Sequence, residues 1–362
     1  MNVVIAGGGT GGHLYPGLAL ADALSTRGLE VTYVGTAGGI EVRVVPGAGY
    51  PLRVLPGRQL RGGGAASALR GFAAALRGVV GGVRLLGAVR PVLVVGVGGY
   101  ASVAVVLAAA VRRVPTILLE QNVIPGAANR WLSRLAHRVC VGFAESVAAF
   151  PPGRAVHTGN PIRAGVLAAA RTAHGERTRP GLLVFGGSGG ARRLNQATVE
   201  AMGLLGATAR VIDVTHQTGP ADLEAVRAGY AALDLPVRVL PFIDDMGAAY
   251  AGADVVVGRA GAMTCAELTA IGLPAILVPY PYAADDHQRR NAEVLVAGGA
   301  AEMILDRELG GERLAGALRG LLENPTRRAA MAEAARALGR PDAADRVADE
   351  CLRLVRRAAA AA

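Results

Sequence analysis

His13 closes a run of near-pure glycine, GGGTGGH from Gly7 to His13, and that pairing suggests proton transfer beside an anion. An unperturbed imidazole titrates near neutrality, so a histidine in an open loop can take a proton from a weak nucleophile. Glycine lets a ligand approach backbone N–H groups closely. The N-terminus of a helix adds free donors and the positive end of its dipole. Here the apolar run Val3-Val4-Ile5-Ala6 precedes the loop and a helical pattern from Leu14 to Arg27 follows it, so the stretch reads strand, turn, helix. Thr10 and His13 carry the loop's hydrogen-bonding side chains, while Gly9, Gly11 and Gly12 offer backbone. The bland alternative is a tight turn of an ordinary α/β fold.

Two common readings of such a loop fit poorly. A P-loop requires Gly-Lys-Ser/Thr, and the chain has no lysine, all 38 of its basic residues being arginine. Gly7, Gly9 and Gly12 fit G-x-G-x-x-G, but a dinucleotide site also wants an acid at the end of the second strand. That strand, near 31–34, ends in Gly35-Thr36, and Glu30 precedes it. A nicotinamide-dependent dehydrogenase is therefore disfavoured, and no cofactor is expected. Cys140, Cys265 and Cys351 are far apart and suggest neither a disulfide framework nor a zinc site.

The elements that must position these residues alternate. Strands are expected near 2–6, 31–35, 92–96, 115–119 and 138–141, with helices near 14–27, 66–87, 99–112 and 125–136. That order predicts a parallel sheet covered on both faces, with ligands bound beyond the carboxyl ends of its strands. Gly98-Gly99 ends one such strand. After a polar stretch around 158–180, Leu182-Leu183-Val184-Phe185 leads into GGSGGARRLN, a second strand–glycine–helix unit. Further strands are expected near 210–214, 237–240, 254–257 and 275–278, and 307–357 reads as helical. The expected organisation is an N-terminal domain over 1–162, a C-terminal domain over 163–340, and a last helical segment, 341–362, returning to the first domain. The N-terminus starts directly on a strand, with no cleavage signal, and no run suits a spanning helix, so a cytoplasmic protein is expected.

Charge divides the chain. Residues 1–165 hold 16 arginines against five acids, a net +11, and residues 166–362 hold 22 arginines against 23 acids, a net −1. Within 58–90 there are six arginines and no acid, and Arg70, Arg77 and Arg84 are spaced by seven. With Phe72 and neighbouring Leu and Val residues, this segment could lie on an anionic membrane surface or could be a sheet-covering helix with an arginine edge. Nucleic acid is disfavoured as a partner, because aromatics make up only 4% of the chain.

Ten motifs then occur in order: GGGTGGHLYPGLALA, VGTAGGIE, GVGGYAS, EQNVIPGAANRWL, TGNPIR, FGGSGGARRLN, PFIDDM, GRAGAMTCAEL, LPAILVPYP and DHQRRNA. Together they resemble the MurG family of peptidoglycan glycosyltransferases, family 28, over nearly the whole chain. The resemblance implies a GT-B fold, two Rossmann-like doubly wound α/β domains facing across a cleft. The first would handle the acceptor and the second mainly UDP-N-acetylglucosamine. It implies Glu267 on the ribose hydroxyls, Ser188 and Arg163 on phosphate, the backbone of Ile243 on uracil, Asn122 and Gln288, with Asn291 nearby, on sugar or nucleotide, and Thr10, Gly11 and Gly12 of the first loop in the donor site. Ala262, Met263 and Thr264 would open a helix whose N–H groups hold the diphosphate. Gly9, Gly98, Gly99 and Tyr100 would form acceptor loops. Two departures stand out: Gly189, where the family often has glutamine, and Val103-Ala104, where it often has Gly-Pro.

The reaction so implied is a single inverting displacement. The C4 hydroxyl of the muramyl sugar of lipid I, an undecaprenyl-pyrophosphoryl-muramyl-pentapeptide, attacks the anomeric carbon and yields lipid II. His13 is the expected base, with Glu120 in reserve. Asp244-Asp245 reads as helix caps, and neither it nor Asp285-Asp286 has D-x-D spacing, so no metal is expected. The expected location is peripheral, on the cytoplasmic face of the cell membrane. A UDP-sugar 2-epimerase of the same architecture is the alternative enzyme. A non-catalytic membrane-surface scaffold that binds UDP-sugar is the alternative of another class.

Overall fold

The computed structural model describes residues 1–55, 65–172 and 179–360. The chain divides into two units, the first formed by Met1–Arg163 with the chain from Asp342 onward, the second by Ala164–Pro341. In the first unit the elements run β1 (Asn2–Gly7), α1 (Gly11–Ser25), β2 (Glu30–Thr36), α2 (Glu41–Gly47), β3 (Leu52–Leu55), α3 (Ala65–Val89), β4 (Leu93–Gly98), α4 (Gly99–Val111), β5 (Thr116–Glu120), α5 (Ala127–Leu132), β6 (Arg138–Val141) and β7 (Ala155–His157). The second holds α6 (Ala164–Thr172), β8 (Gly181–Phe185), α7 (Arg192–Leu205), α8 (Ala207–Arg210), β9 (Asp213–Gln217), α9 (Leu223–Ala232), β10 (Arg238–Leu240), α10 (Met246–Ala251), β11 (Val255–Gly258), α11 (Ala262–Ile271), β12 (Ala275–Leu277), α12 (His287–Ala297), β13 (Ala301–Met303), α13 (Gly311–Leu322) and α14 (Pro325–Leu338). The last helix, α15 (Ala343–Ala360), belongs to the first unit.

Both sheets are parallel and doubly wound, in the orders β3-β2-β1-β4-β5-β6-β7 and β10-β9-β8-β11-β12-β13. A parallel sheet covered on both faces needs strands that are apolar throughout. Accordingly Val3, Val4, Ile5 and Ala6 on β1 and Leu93, Val94 and Val95 on β4 are all fully buried. The order reverses between β1 and β4 in one unit and between β8 and β11 in the other, and ligands of such sheets bind at the carboxyl end of that switch point. Each switch point carries a glycine turn on both strands: Gly8-Gly9 and Gly98-Gly99, then Gly186–Gly190 and Gly258–Gly261. In the first unit the register of β1 against β4 also shifts between Ala6 and Gly7, so the ladder ends in a bulge where the loops begin.

The last helix is tied in by a stripe, Val347, Cys351 and Val355, packed in one buried cluster with Leu14, Leu18 and Ile5. Positions four apart share a helix face, and each such side chain stabilises by roughly 1.5–3 kcal/mol when buried. Arg27 pairs with Asp345 at 2.9 Å and Arg138 with Glu350 at 3.0 Å on the flanks. All three cysteines are buried and free, and burial pushes each thiol up.

Candidate active site

At the first switch point two glycine turns interlock around His13. Gly98 has φ 122°, and a Cβ there would lie 2.6 Å from His13 Cδ2 and 2.8 Å from Nε2. The imidazole therefore rests on the bare backbone of Gly98. Gly99, φ 81°, lies against the carbonyl of Gly8, 2.7 Å from where its Cβ would sit. A side chain at either position would push the two turns apart. Thr10 precedes α1, and its carbonyl accepts from the N–H groups of His13 and Leu14 at 3.2 and 3.1 Å. Thr10 and Gly12 are exposed, while Gly11 and His13 are half-buried. Tyr100, also half-buried, turns its hydroxyl toward Gly78 of α3, and burial raises its pKa.

The N–H of Gly9 is already committed. It donates to Glu41 Oε2 at 2.9 Å, and Glu41 Oε1 accepts from Thr36 N–H at 2.9 Å and Thr36 Oγ1 at 3.0 Å. Burial pushes the Glu41 carboxyl up, but these donors together with its own N–H outweigh that and hold it below the usual carboxylate range. Sequence reasoning quoted this glutamate within a motif and gave it no role; its signal was its place in VGTAGGIE, three residues past an alanine-glycine turn.

Glu120, at the end of β5, is 3% exposed. Its Oε1 accepts from Asn122 N–H at 3.0 Å, and its Oε2 from Gly126 N–H at 3.1 Å and Asn129 Nδ2 at 2.9 Å. The carboxylate thus spans and shapes the 121–126 loop, which carries Asn122. Gln121 and Asn160 brace the same loop, through Gln121 Nε2 to Val97 O at 2.9 Å and Asn160 Nδ2 to Gln121 O at 3.0 Å. Arg163 lays its guanidinium over the ring of Tyr15, 4.2 Å from the centroid, while its buried Nε has no partner among the described residues. Tyr15 sits two residues after His13 on α1, so one helix carries the imidazole and seats the arginine.

In the second unit Ser188 is exposed at the tip of the loop after β8. That loop is held by backbone: Gly190 N–H donates to Gly187 O at 2.9 Å, and Gly219 crowds the carbonyl of Gly189. A Cβ on Gly189 would meet nothing within 4 Å, so this departure from the family pattern leaves open space. Ile243 is buried beyond β10, and Asp245, rather than Asp244, caps α10 by accepting from Ala248 N–H at 2.9 Å. Gly261 precedes α11, whose ten residues begin at Ala262, so the N–H groups of Ala262, Met263 and Thr264 stand at its open end. Glu267, half-buried a turn further on, accepts from Tyr250 Oη at 2.8 Å. Asn291 is fully buried and donates to Ala260 O at 3.2 Å, which supports the loop before α11 from behind. Gln288 Oε1 accepts from Tyr280 N–H at 3.0 Å.

On α3, Arg70 and Phe72 have side chains outside the described residues. Arg77 and Arg84 are exposed, as are Leu76 and Val80, while Gly78, Gly82 and Leu86 turn inward. Gly78 and Gly82 face Tyr100, Ala104 and Ala108 of α4. The helix therefore covers its neighbour with one face and presents a basic, apolar edge with another. Ala104, one of the two positions that depart from Gly-Pro, lies in that close contact. No helix among the described residues is long and apolar enough to cross a membrane.

Two parallel doubly wound sheets, each with glycine turns at its switch point and one with an open helix N-terminus beside an acid, are the elements of a GT-B-type fold. The chain belongs to glycosyltransferase family 28: residues 3–141 match its N-terminal domain and residues 181–347 its C-terminal domain. It is 47% identical, over 99% of its length and 94% of the relative's, to a UDP-N-acetylglucosamine–N-acetylmuramyl-(pentapeptide) pyrophosphoryl-undecaprenol N-acetylglucosamine transferase of Anaeromyxobacter dehalogenans. A protein of the same name from Geobacter sulfurreducens is 44% identical over 99% of this chain and all of its own. Among solved structures, Acinetobacter baumannii MurG superposes with a TM-score of 0.78 at 32% identity, covering 96% of this chain and 98% of that one. A UDP-GlcNAc 2-epimerase from Neisseria meningitidis reaches a TM-score of 0.71 at 13% identity, over 98% of this chain and all of that one, a likeness of fold alone.

Proposed function

We propose that the chain transfers N-acetylglucosamine from UDP-N-acetylglucosamine to the C4 hydroxyl of the muramyl sugar of lipid I, forming lipid II. The observation that carries this reading is identity of 44–48% over nearly the full length to relatives bearing that activity in their names. The epimerase alternative rests on fold likeness only. In the proposed mechanism His13 takes the hydroxyl proton as the oxygen attacks the anomeric carbon. UDP departs with its diphosphate held by the N-terminus of α11 and by Arg163, whose planar fork suits phosphate oxygens. Glu267 accepts hydrogen bonds from the ribose hydroxyls. Ser188, Ile243, Gln288 and Asn122 complete the donor contacts, and Gly98, Gly99 and Tyr100 line the acceptor side. Glu120, whose oxygens already bind three donors, is better suited to shaping the Asn122 loop than to accepting a proton.

Membrane docking belongs to the same proposal. The +11 first half and the exposed Leu76, Arg77, Val80 and Arg84 edge of α3 suit the anionic inner leaflet, where the lipid-linked acceptor resides. Each arginine near such a surface gains about 1 kcal/mol, screened by salt. The test of the reaction is incubation with UDP-N-acetylglucosamine and a soluble lipid I analogue. UDP release that requires the acceptor supports it; a 2-epimer formed without acceptor overturns it. For docking, Arg77→Gln with Arg84→Gln should weaken co-sedimentation with anionic vesicles while sparing the soluble acceptor.

A further inference from the structure

A fully buried carboxylate lies beneath the first glycine loop, and the reaction as written does not use it. Glu41 opens α2 with no exposed surface. Three glycines make its room, one from the first loop and two from the stretch that leads into α2: a Cβ on Gly8, Gly35 or Gly39 would overlap the Glu41 side chain. Among the described residues, its carboxylate partners are N–H and O–H donors of Gly9 and Thr36, not a cation. Keeping a charge buried without a counter-ion is unfavourable unless its donors are well placed, so a fold that keeps one gains something from the placement. What those bonds fix can be followed along the chain. Glu41 pins Gly9; the carbonyl of the adjacent Gly8 seats against Gly99; the Thr10 carbonyl starts α1; and the first turn of α1 lays His13 on Gly98.

We propose that Glu41 is a positioning residue for turnover, acting through the glycine loop to hold His13 where it can take the acceptor's proton. This rests on the reading of His13 as the base. A displacement of an ångström at a reacting group costs on the order of 10²-fold in rate, so a loosened loop should show in kcat. Most of the proposed donor contacts, those of α11, Glu267, Ser188, Ile243 and Gln288, lie in the second unit, so the donor KM should change less than kcat.

Glu41→Gln keeps the shape but points an amide N–H₂ at a backbone donor. In folded protein, judged by circular dichroism, kcat should fall about tenfold or more, with the donor KM within about twofold. Gly39→Ala reaches the same carboxylate without altering it and should reproduce that split, so the test survives if the first variant does not fold. The deciding measurement is Glu41→Gln in a His13→Ala background, where the further loss should shrink to about threefold or less, because residues acting through one another are non-additive. An unchanged kcat in both variants, or an equal loss with and without His13, overturns the proposal. If His13→Ala alone costs under tenfold, the base assignment falls by itself. Glu41 is then judged by its own kcat: a loss supports loop positioning, and none overturns it.

Discussion

The two glycine loops occupy the same place in their two sheets, yet the acids that anchor them differ: one bonds its loop directly with no cation, the other acts through an amide and is paired with an arginine. The loop after β1 is pinned by a buried anion, Glu41, and ends in an imidazole. The loop after β8 is held by Gly190 to Gly187 O, Gly186 N–H to Gln217 Oε1 at 3.3 Å, and Asn195 Nδ2 to Thr218 O at 2.9 Å, and the acid behind it, Asp222, accepts from Asn195 Nδ2 at 3.0 Å and is paired with Arg192 at 2.9 Å. A negative charge under a helix N-terminus offsets part of its positive field. On the proposed reading this suits the first loop to mounting a base more than to cradling phosphate, and a paired acid in the second network offsets less of that loop's field.

The strongest way to break this comparison is to remove the group that only the first loop carries. His13→Ala should lower kcat about 10²–10⁴-fold, with donor affinity little changed, in steady-state assays with a soluble acceptor. A loss under tenfold would erase the functional difference between the loops.

The anchors should also separate the units in acid. His216, fully buried on β9 beside the second loop, contacts Tyr230 Oη at 2.8 Å and Asn195 Oδ1 at 3.2 Å, and burial lowers its pKa to about 4. The folded unit holds it neutral, whereas the unfolded chain takes a proton near 6.5. Its contribution, about 3 kcal/mol, is therefore complete above that pH and lost as pH falls toward 4. Glu41 works further down the scale. Its depressed carboxyl stabilises the first unit above the ordinary carboxylate range and loses that effect only as pH falls through its own lower value. The exposed His137 of the first unit is lowered too, by burial and then Arg154, and its exposure leaves it a smaller effect. Calorimetry from pH 8 to 5 should show the second unit's transition falling first; two transitions falling together would contradict the assignment.

Much of this was legible in the sequence, for reasons the residues make plain. Central parallel strands are buried on both faces, so Val3–Ala6 and Leu182–Phe185 are continuous apolar runs that announce themselves, and the glycine turns follow directly. The missed strands β3, β7 and β13 lie at sheet edges, where one neighbour suffices and short mixed segments such as Leu52–Leu55 serve. Strand β9 sits at 213–217 instead of the expected 210–214, because His216 and Gln217 are polar yet buried by pairing with other polar groups. The helix α2 is too short for periodicity to show, and with it Glu41 went unassigned. Its chemistry depends on Gly8, Gly35, Gly39 and Thr36 converging in space, which spacing along the chain does not reveal.

In the second unit the comparison sharpens around a different acid. Glu267, half-buried, stands where an open helix end and a ribose diol would be read together. Glu267→Ala should weaken UDP-N-acetylglucosamine binding by roughly 1–3 kcal/mol, the range for hydrogen bonds to a charged group. Titration calorimetry of the folded variant decides this, and an unchanged affinity would remove Glu267 from the donor site. The kcat at saturating donor should fall far less than in His13→Ala, since the lost bonds are present in the ground state as well.

The smallest effect belongs to the group that holds Glu267, and it measures how far neutral anchoring goes. Tyr250, 1% exposed on α10, packs edge-on against Phe185 at 6.2 Å between centroids and donates its hydroxyl to Glu267 Oε2 at 2.8 Å. That bond fixes one carboxylate oxygen, and a carboxylate can accept more than one donor. Tyr250→Phe removes a single oxygen from a packed ring, so the fold should persist. The carboxylate gains rotamer freedom, and donor affinity should fall by about 0.5–1.5 kcal/mol, the net worth of one hydrogen bond. UDP and its 2′- and 3′-deoxy analogues sharpen the reading. If the phenol acts by aligning the carboxylate with the diol, the variant should discriminate less between UDP and the deoxy forms than the parent does. Equal discrimination with a lower melting temperature would instead make Tyr250 a packing residue and remove it from the alignment of Glu267.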